Sequence, residues 1–297
     1  MKGFWKRLAA MAAAALLLMG CTGALADPTV TKPTAEGYEE HFDGYMSMVH
    51  KLKDGKSKLF GKLYIPDGMD LTKPHTTLIL SHGIGMTHED FELYIPHLMT
   101  LDVVCYAFDF CGGGNSSKSS GETTDMTIGT EMSNLKAVID DLSAQPFCDP
   151  SKIVLSGCSF GGMVSGLVGA ELQDKIAGEI LIYPALCVMD NAHAEFASLD
   201  DIPATINVRG MKCGKALYSD SWDWDLPDMV SRYSGKVLLM HGTADSAVPY
   251  EYSVKEQTMF ADAKLVTVEG GDHGFTAEQI ETAWPEIVAY LTEIGVI

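Results

Sequence analysis

Short, continuous apolar runs recur along the chain at Thr76–Ser81 (TTLILS), Val103–Phe108 (VVCYAF), Lys152–Ser156 (KIVLS), Glu179–Tyr183 (EILIY), Lys236–Met240 (KVLLM) and Lys264–Val268 (KLVTV). Such runs lack the alternation of a strand with one wet face, and predict strands buried on both sides in a parallel sheet covered by helices. Helical spacing fills the gaps. In Thr127–Ala144, the apolar Leu135, Val138, Ile139 and Leu142 share one face, and Phe160–Leu172, Glu251–Phe260 and Ala277–Ile294 are the other predicted helices. Ahead of these, Tyr45–Lys53 and Ser57–Ile65 flank Asp54-Gly55-Lys56, a hairpin signal. Strands alternating with helices predict an α/β fold with a mostly parallel, doubly wound sheet.

Two stretches break this rhythm. Between Ala185 and Val230 lie about 45 residues where one helix-and-turn step suffices, which predicts a small cap inserted at about 185–230. At the start, Lys2, Lys6 and Arg7 precede the apolar run Leu8–Met19, which is shorter than the roughly 20 residues of a spanning helix and reads as an export signal over residues 1–20. Leu18-Met19-Gly20-Cys21 resembles a bacterial lipobox, so Cys21 is the expected lipidation site; Ala24-Leu25-Ala26 is the alternative cleavage site. Residues 21–40, with Pro28 and Pro33, then read as a flexible tether to a domain over 41–297.

Charge narrows the partners. Lys and Arg number 21 against 40 Asp and Glu, a net −19, which excludes the basic footprint of a nucleic-acid or anionic-membrane surface. The expected membrane contact is therefore only the N-terminal lipid anchor, at the bacterial cell surface or in the periplasm. Seven cysteines show neither CxxC nor Cys/His metal spacing, so no metal or other cofactor is expected. Cys187 and Cys213 are candidates for a disulfide within the cap.

The chemistry concentrates after the predicted strands. Gly157-Cys158-Ser159-Phe160-Gly161 follows Lys152–Ser156 and opens a helix, the context that a GxSxG nucleophile turn requires. Side chains at Gly157 or Gly161 are expected to clash with neighbouring backbone. A serine hydroxyl needs a base, and His273 follows the last strand; Asp245, after Lys236–Met240, is the acid expected to orient it. Asp272 is the competing acid. Each candidate follows a separate parallel strand, which brings all three to one sheet edge. His82-Gly83-Ile84-Gly85 follows the first parallel strand, so the N–H groups of Ile84 and Phe160 are the expected oxyanion donors, with His82 bracing the loop.

From about Thr76 to Leu291 the chain resembles the α/β-hydrolase superfamily, and within it the feruloyl (cinnamoyl) esterases of gut and rumen bacteria. The resemblance rests on His82-Gly83, Asp109–Ser116 (DFCGGGNS), Gly157–Gly162, Tyr183-Pro184-Ala185, His241–Asp245 and Gly271-Asp272-His273. Cys111 and Gly113 depart from it, standing where Arg or Asn and His are commoner. It implies an α/β-hydrolase fold and a serine esterase acting through an acyl-enzyme on small aromatic or short-chain acyl esters. It also implies a cap whose polar residues contact the substrate ring; Asp190 and Tyr218 match those positions, and Trp222 and Trp224 are further candidates for substrate contact. A prolyl-oligopeptidase-type peptidase and a non-catalytic surface lipoprotein on the same fold are the competing readings.

Cys21→Ala is expected to shift the protein from the membrane fraction to the soluble one on cell fractionation; a wild-type N-terminus at Asp27 would place cleavage after Ala26 instead.

Overall fold

A computed structural model of the chain describes residues 39–297. The expected signal, Cys21 and nearly all of the expected tether lie outside the described residues. Three strands, β1 (Glu39–Phe42), β2 (Tyr45–Asp54) and β3 (Ser57–Pro66), form an antiparallel meander at one edge of the sheet. Glu39 and Glu40 thus belong to the sheet and not to a tether. Glu39 is paired with Met48, and the Glu40 carboxylate takes the Ser47 hydroxyl and the Lys62 ammonium.

The parallel strands follow: β4 (His75–Ser81), β5 (Val103–Phe108), β6 (Cys148–Cys158) and β7 (Gly178–Ile182). After the cap region, the sheet is completed by β10 (Lys236–Gly242) and β11 (Asp262–Val268), the cap itself holding β8 (Thr205–Val208) and β9 (Met211–Gly214). The nine-stranded order is β1-β2-β3-β5-β4-β6-β7-β10-β11. The chain runs from β4 outward to β5, then crosses back over β4 to β6, so the strand order reverses between β4 and β6. Open α/β sheets place their sites at such a reversal.

Two cores cover the sheet, one on each face. Along β4, Ile79 belongs to the first core while Leu78 and Leu80 belong to the second; along β6, Ile153 and Leu155 face the first and Val154 the second. That division is why these runs are apolar without alternation. β11 differs. It lies at the sheet edge, and most of its residues are half-buried or exposed, so Lys264–Val268 is not the doubly covered strand that its composition suggests. The first core is covered by α1 (Ile128–Ser143), whose N-cap Thr127 and Thr130 exchange hydrogen bonds in a capping box, and by α2 (Ser159–Glu171), most of whose residues are buried.

The region between β7 and β10 folds as α3 (Val188–Glu195), the β8–β9 antiparallel hairpin and α4 (Leu226–Val230). Its Met189, Ile202, Met211, Leu217 and Leu226 are buried in the same core as α1 and α2. Asp220 from this region accepts the Gly129 N–H at 3.0 Å and so helps to cap α1. Cys187 and Cys213 are both buried and unpaired, because each thiol points at a different local group: Asn191 Nδ2 donates to Cys187 Sγ, and Cys213 Sγ donates to Met211 O. The remaining elements are α5 (Glu251–Met259) between β10 and β11, and α6 (Ala277–Glu293) packed on the second core.

The β4–β6 junction is steric at its centre. A Cβ on Gly161 would lie 2.2 Å from Ser81 O and 2.3 Å from His82 O, and one on Gly157 would lie 2.3 Å from Gly161 O. Gly161→Ala must push α2 away from the end of β4. We expect a loss of about 1–3 kcal/mol, the usual range for overpacking, measured by urea unfolding.

Candidate active site

Ser159 is the first residue of α2 and follows Cys158, the last of β6, with no intervening loop. The turn is sharp enough to force Ser159 to a φ of 53°. A non-glycine residue there stores strain of about 1–3 kcal/mol, which surrounding structure must hold. The glycines described above make room for the turn. Ser159 remains 8% exposed, at the positive end of a helix whose first N–H groups have no partner within it.

Two loops from the far half of the sheet meet this serine. Asp245 follows β10 and His273 follows β11. His273 Nε2 lies 2.8 Å from Ser159 Oγ, and His273 Nδ1 lies 2.8 Å from Asp245 Oδ2. A carboxylate oxygen only accepts, so Nδ1 carries the proton and Nε2 faces the hydroxyl with its lone pair. The Tyr183 ring, 4.7 Å from the His273 ring between centroids, walls the imidazole on one side.

The Asp245 side chain is fully buried, and every acceptor position on it is used. Oδ1 takes the Ala247 and Val248 N–H groups, each at 2.8 Å, and Oδ2 takes His273. His241 Nε2 lies 3.3 Å from the same Oδ2 and 3.1 Å from Val248 O, two acceptors, so Nε2 bears hydrogen and Nδ1 accepts from the Ser253 hydroxyl at 2.7 Å. Burial alone raises the Asp245 carboxyl; the hydrogen bonds from His241 and His273, the electrostatic pull of the His273 ring and the Val248 N–H outweigh it and hold the group well below the usual carboxylate range. His241, four residues before Asp245 in HGTAD, is thus a structural residue that braces the acid from behind.

Asp272 serves another purpose. Its Oδ1 accepts the Ser246 N–H and hydroxyl at 2.8 Å and the His273 N–H at 2.7 Å, tying the two loops together without reaching the imidazole.

On the opposite side of Ser159 lies the loop after β4. His82, 1% exposed, donates from Nδ1 to Gly83 O at 2.7 Å and accepts the Phe110 N–H on Nε2 at 2.9 Å. Burial disfavours its charged form, in keeping with a ring that must accept on one nitrogen. Gly83 O also receives the Met86 N–H. A trans peptide points its C=O and N–H oppositely, so fixing Gly83 O fixes the Ile84 N–H the other way. Neither the Ile84 nor the Phe160 N–H finds a hydrogen-bond acceptor among the described residues.

Asp190 is exposed and accepts the Tyr252 hydroxyl, an anchor between α3 and α5. Tyr218 is buried, and burial raises its phenol to about 12. Trp222 and Trp224 are half-buried against the first core, and His193 Nε2 donates to the Trp222 carbonyl at 2.8 Å. Cap and serine are joined directly, since Ala185 N–H donates to Ser159 O at 2.9 Å. Among the described residues, no group of three or more His, Cys, Asp or Glu is arranged to hold a metal ion.

Known proteins resemble this chain in sequence and in fold. A solved structure of Est1E from Butyrivibrio proteoclasticus with ferulic acid bound is similar over 82% of this chain and 99% of that one, with 26% identity and a TM-score of 0.74. A thermophilic esterase from Thermogutta terrifontis, at 17% identity and a TM-score of 0.60 over 83% of this chain and 98% of its own, shares the fold. Human monoglyceride lipase is 25% identical over 157 residues, 52% of this chain and 48% of the lipase, so the chain spans about half the length of the curated relatives it matches. The fold is that of an α/β hydrolase. Residues 89–293, well over half of the chain and including Ser159, Asp245 and His273, match the prolyl oligopeptidase family, and the chain belongs to that family.

Proposed function

We propose that the chain is a serine carboxylic ester hydrolase working through an acyl-enzyme. One observation carries this reading: a strained Ser159 whose hydroxyl lies 2.8 Å from an imidazole whose tautomer a buried carboxylate sets, beside two N–H groups without partners among the described residues. In this reading Ser159 Oγ attacks the ester carbonyl while His273 Nε2 takes its proton. Asp245 holds the imidazole and stabilises its charged form. The carbonyl oxygen, as it gains charge, is received by the Ile84 and Phe160 N–H groups. His273 then returns the proton to the departing alcohol. Water, deprotonated by His273, cleaves the acyl-enzyme by the same route in reverse.

Small aromatic, hydroxycinnamoyl-type or short-chain acyl esters are the proposed substrates. The ferulic acid held by Est1E, at 26% identity across most of this chain, supports the aromatic class. The cap is proposed to set acyl preference, with Trp222, Trp224, Tyr218 and Asp190 as its candidate contacts. The chain is further proposed to be exported and anchored by lipid on Cys21. Membership of the prolyl oligopeptidase family favours a second reading, a serine peptidase with the same catalytic residues.

A panel of p-nitrophenyl esters, methyl ferulate and proline-peptide anilides separates the two, with turnover of the esters and not the anilides expected. Ser159→Ala should abolish both turnover and fluorophosphonate labelling; near-wild-type turnover in that variant would overturn the assignment. Asp245→Asn should lower kcat by roughly 10⁴ by favouring the wrong imidazole tautomer, and Asp272→Asn far less; the reverse ranking would make Asp272 the orienting acid. Trp222→Ala and Trp224→Ala should cut kcat/KM on methyl ferulate by about tenfold or more and on p-nitrophenyl acetate much less, because the small ester draws little on remote binding. Equal losses on both esters would make the cap purely structural.

A further inference from the structure

The wall that carries Ile84 is held by one carboxylate oxygen. Asp90 lies in the short turn His88–Phe91, capped by Thr87, and its Oδ2 accepts the Gly83 N–H at 2.9 Å. The same Oδ2 accepts the Cys158 thiol, also at 2.9 Å. Gly83 and Cys158 are the residues immediately before the two groups that matter: Gly83 precedes Ile84, and Cys158 precedes Ser159. One oxygen therefore ties the end of β4 to the end of β6.

Gly83 is consequently pinned on both sides. Its N–H is drawn to Asp90, and its C=O to His82 Nδ1 and the Met86 N–H. Without the Asp90 contact, the peptide before Gly83 loses its restraint, and the loop can rotate about the φ of a residue that has no Cβ to limit it. The Ile84 N–H direction then becomes variable. Packing is tight here as well: a Cβ on Gly83 would lie 3.3 Å from Ser159 Cβ, so a small rotation of this loop moves the oxyanion wall relative to the nucleophile.

We propose that Asp90 is a positioning residue, aiming the Ile84 N–H at the developing oxyanion by holding Gly83 and Cys158 through a single oxygen. This rests on the reading of Ser159 as the nucleophile. Asp90 touches no reacting atom; its acceptor capacity acts through Gly83. Its effect is on the transition state, where the carbonyl oxygen is charged, and so falls on kcat and leaves KM largely untouched.

Four enzymes test this: wild type, Asp90→Ala, Asp90→Leu, which fills the volume but accepts no hydrogen bond, and Asp90→Asn, whose amide oxygen still accepts. Each is assayed for thermal stability, for kcat and KM on p-nitrophenyl acetate, and for inhibition by phenylboronic acid, whose tetrahedral adduct on Ser159 places a boron-bound oxygen in the oxyanion site. We expect folded Asp90→Ala or Asp90→Leu to lose up to about 10² in kcat, the lower range for removing one oxyanion donor, with KM within about threefold and a parallel loss of boronate affinity. Asp90→Asn should recover most of both losses. Folded Ala or Leu variants with kcat near wild type would overturn the proposal, as would an Asn variant no better than Ala. Unfolding of both apolar variants alongside an active Asn variant would overturn it too, leaving Asp90 a purely structural residue. Failure of the nucleophile reading looks different: wild type itself would then show neither turnover nor fluorophosphonate labelling.

Discussion

The contact between Gly161 and the carbonyls of Ser81 and His82 governs the geometry of this molecule's working edge. Two parallel strands end side by side, and a helix must start at once from one of them with its first turn pressed against the other. No side chain fits in that gap. The helix start is thereby fixed against the end of β4 and the loop that leaves it. In the proposed reaction, preorganisation of this kind would spare the reorganisation that water needs around a developing charge. The left-handed φ of Ser159 follows from the same constraint, since the chain has to reverse within one residue.

Support radiates from that contact in two directions. Toward β10 and β11, Asp245 collects four donors, and behind it His241 and Ser253 form a further layer of hydrogen bonds that keeps the carboxylate satisfied in a dry setting. Toward β3 and β5, His82 links Gly83 to Phe110. Gly113 lies close by, and a Cβ there would meet Phe110 Cβ at 2.7 Å, His82 Cε1 at 3.0 Å and Glu131 Oε1 at 3.1 Å. The space that a side chain at Gly113 would occupy is thus left to a buried glutamate from α1.

Much of this was legible in the sequence for identifiable reasons. Runs such as Val103–Phe108 are apolar at every position because both faces of the sheet are covered, and that pattern survives without alignment. Ser159, Asp245 and His273 each follow such a run, and parallel strands deliver such residues to one edge. What escaped reading lacks periodicity. The β8–β9 hairpin is built from two four-residue strands around Arg209-Gly210, too short to show alternation, and α3 is only eight residues long. Asp90 was hidden because its partners are a backbone N–H and a thiol, neither of which has a sequence signature. The cap was visible as an excess of residues, but its continuity with the main core was not. Tyr218 and Leu226 look like lid residues by position and behave as core residues by packing.

The six described cysteines, all unpaired, have a redox consequence. Burial pushes every one of these thiols above its ordinary pKa, including Cys187 and Cys213, which rise to about 11. The thiolate is the species that attacks disulfides and reacts with peroxide, so a suppressed thiolate fraction means slow oxidation. Cys111 is the one that is not fully buried, and thus the first point at which an oxidant would register. Among the described residues the sulfur is thus held mostly in the thiol form, apart from a proposed reaction centre built on oxygen and nitrogen.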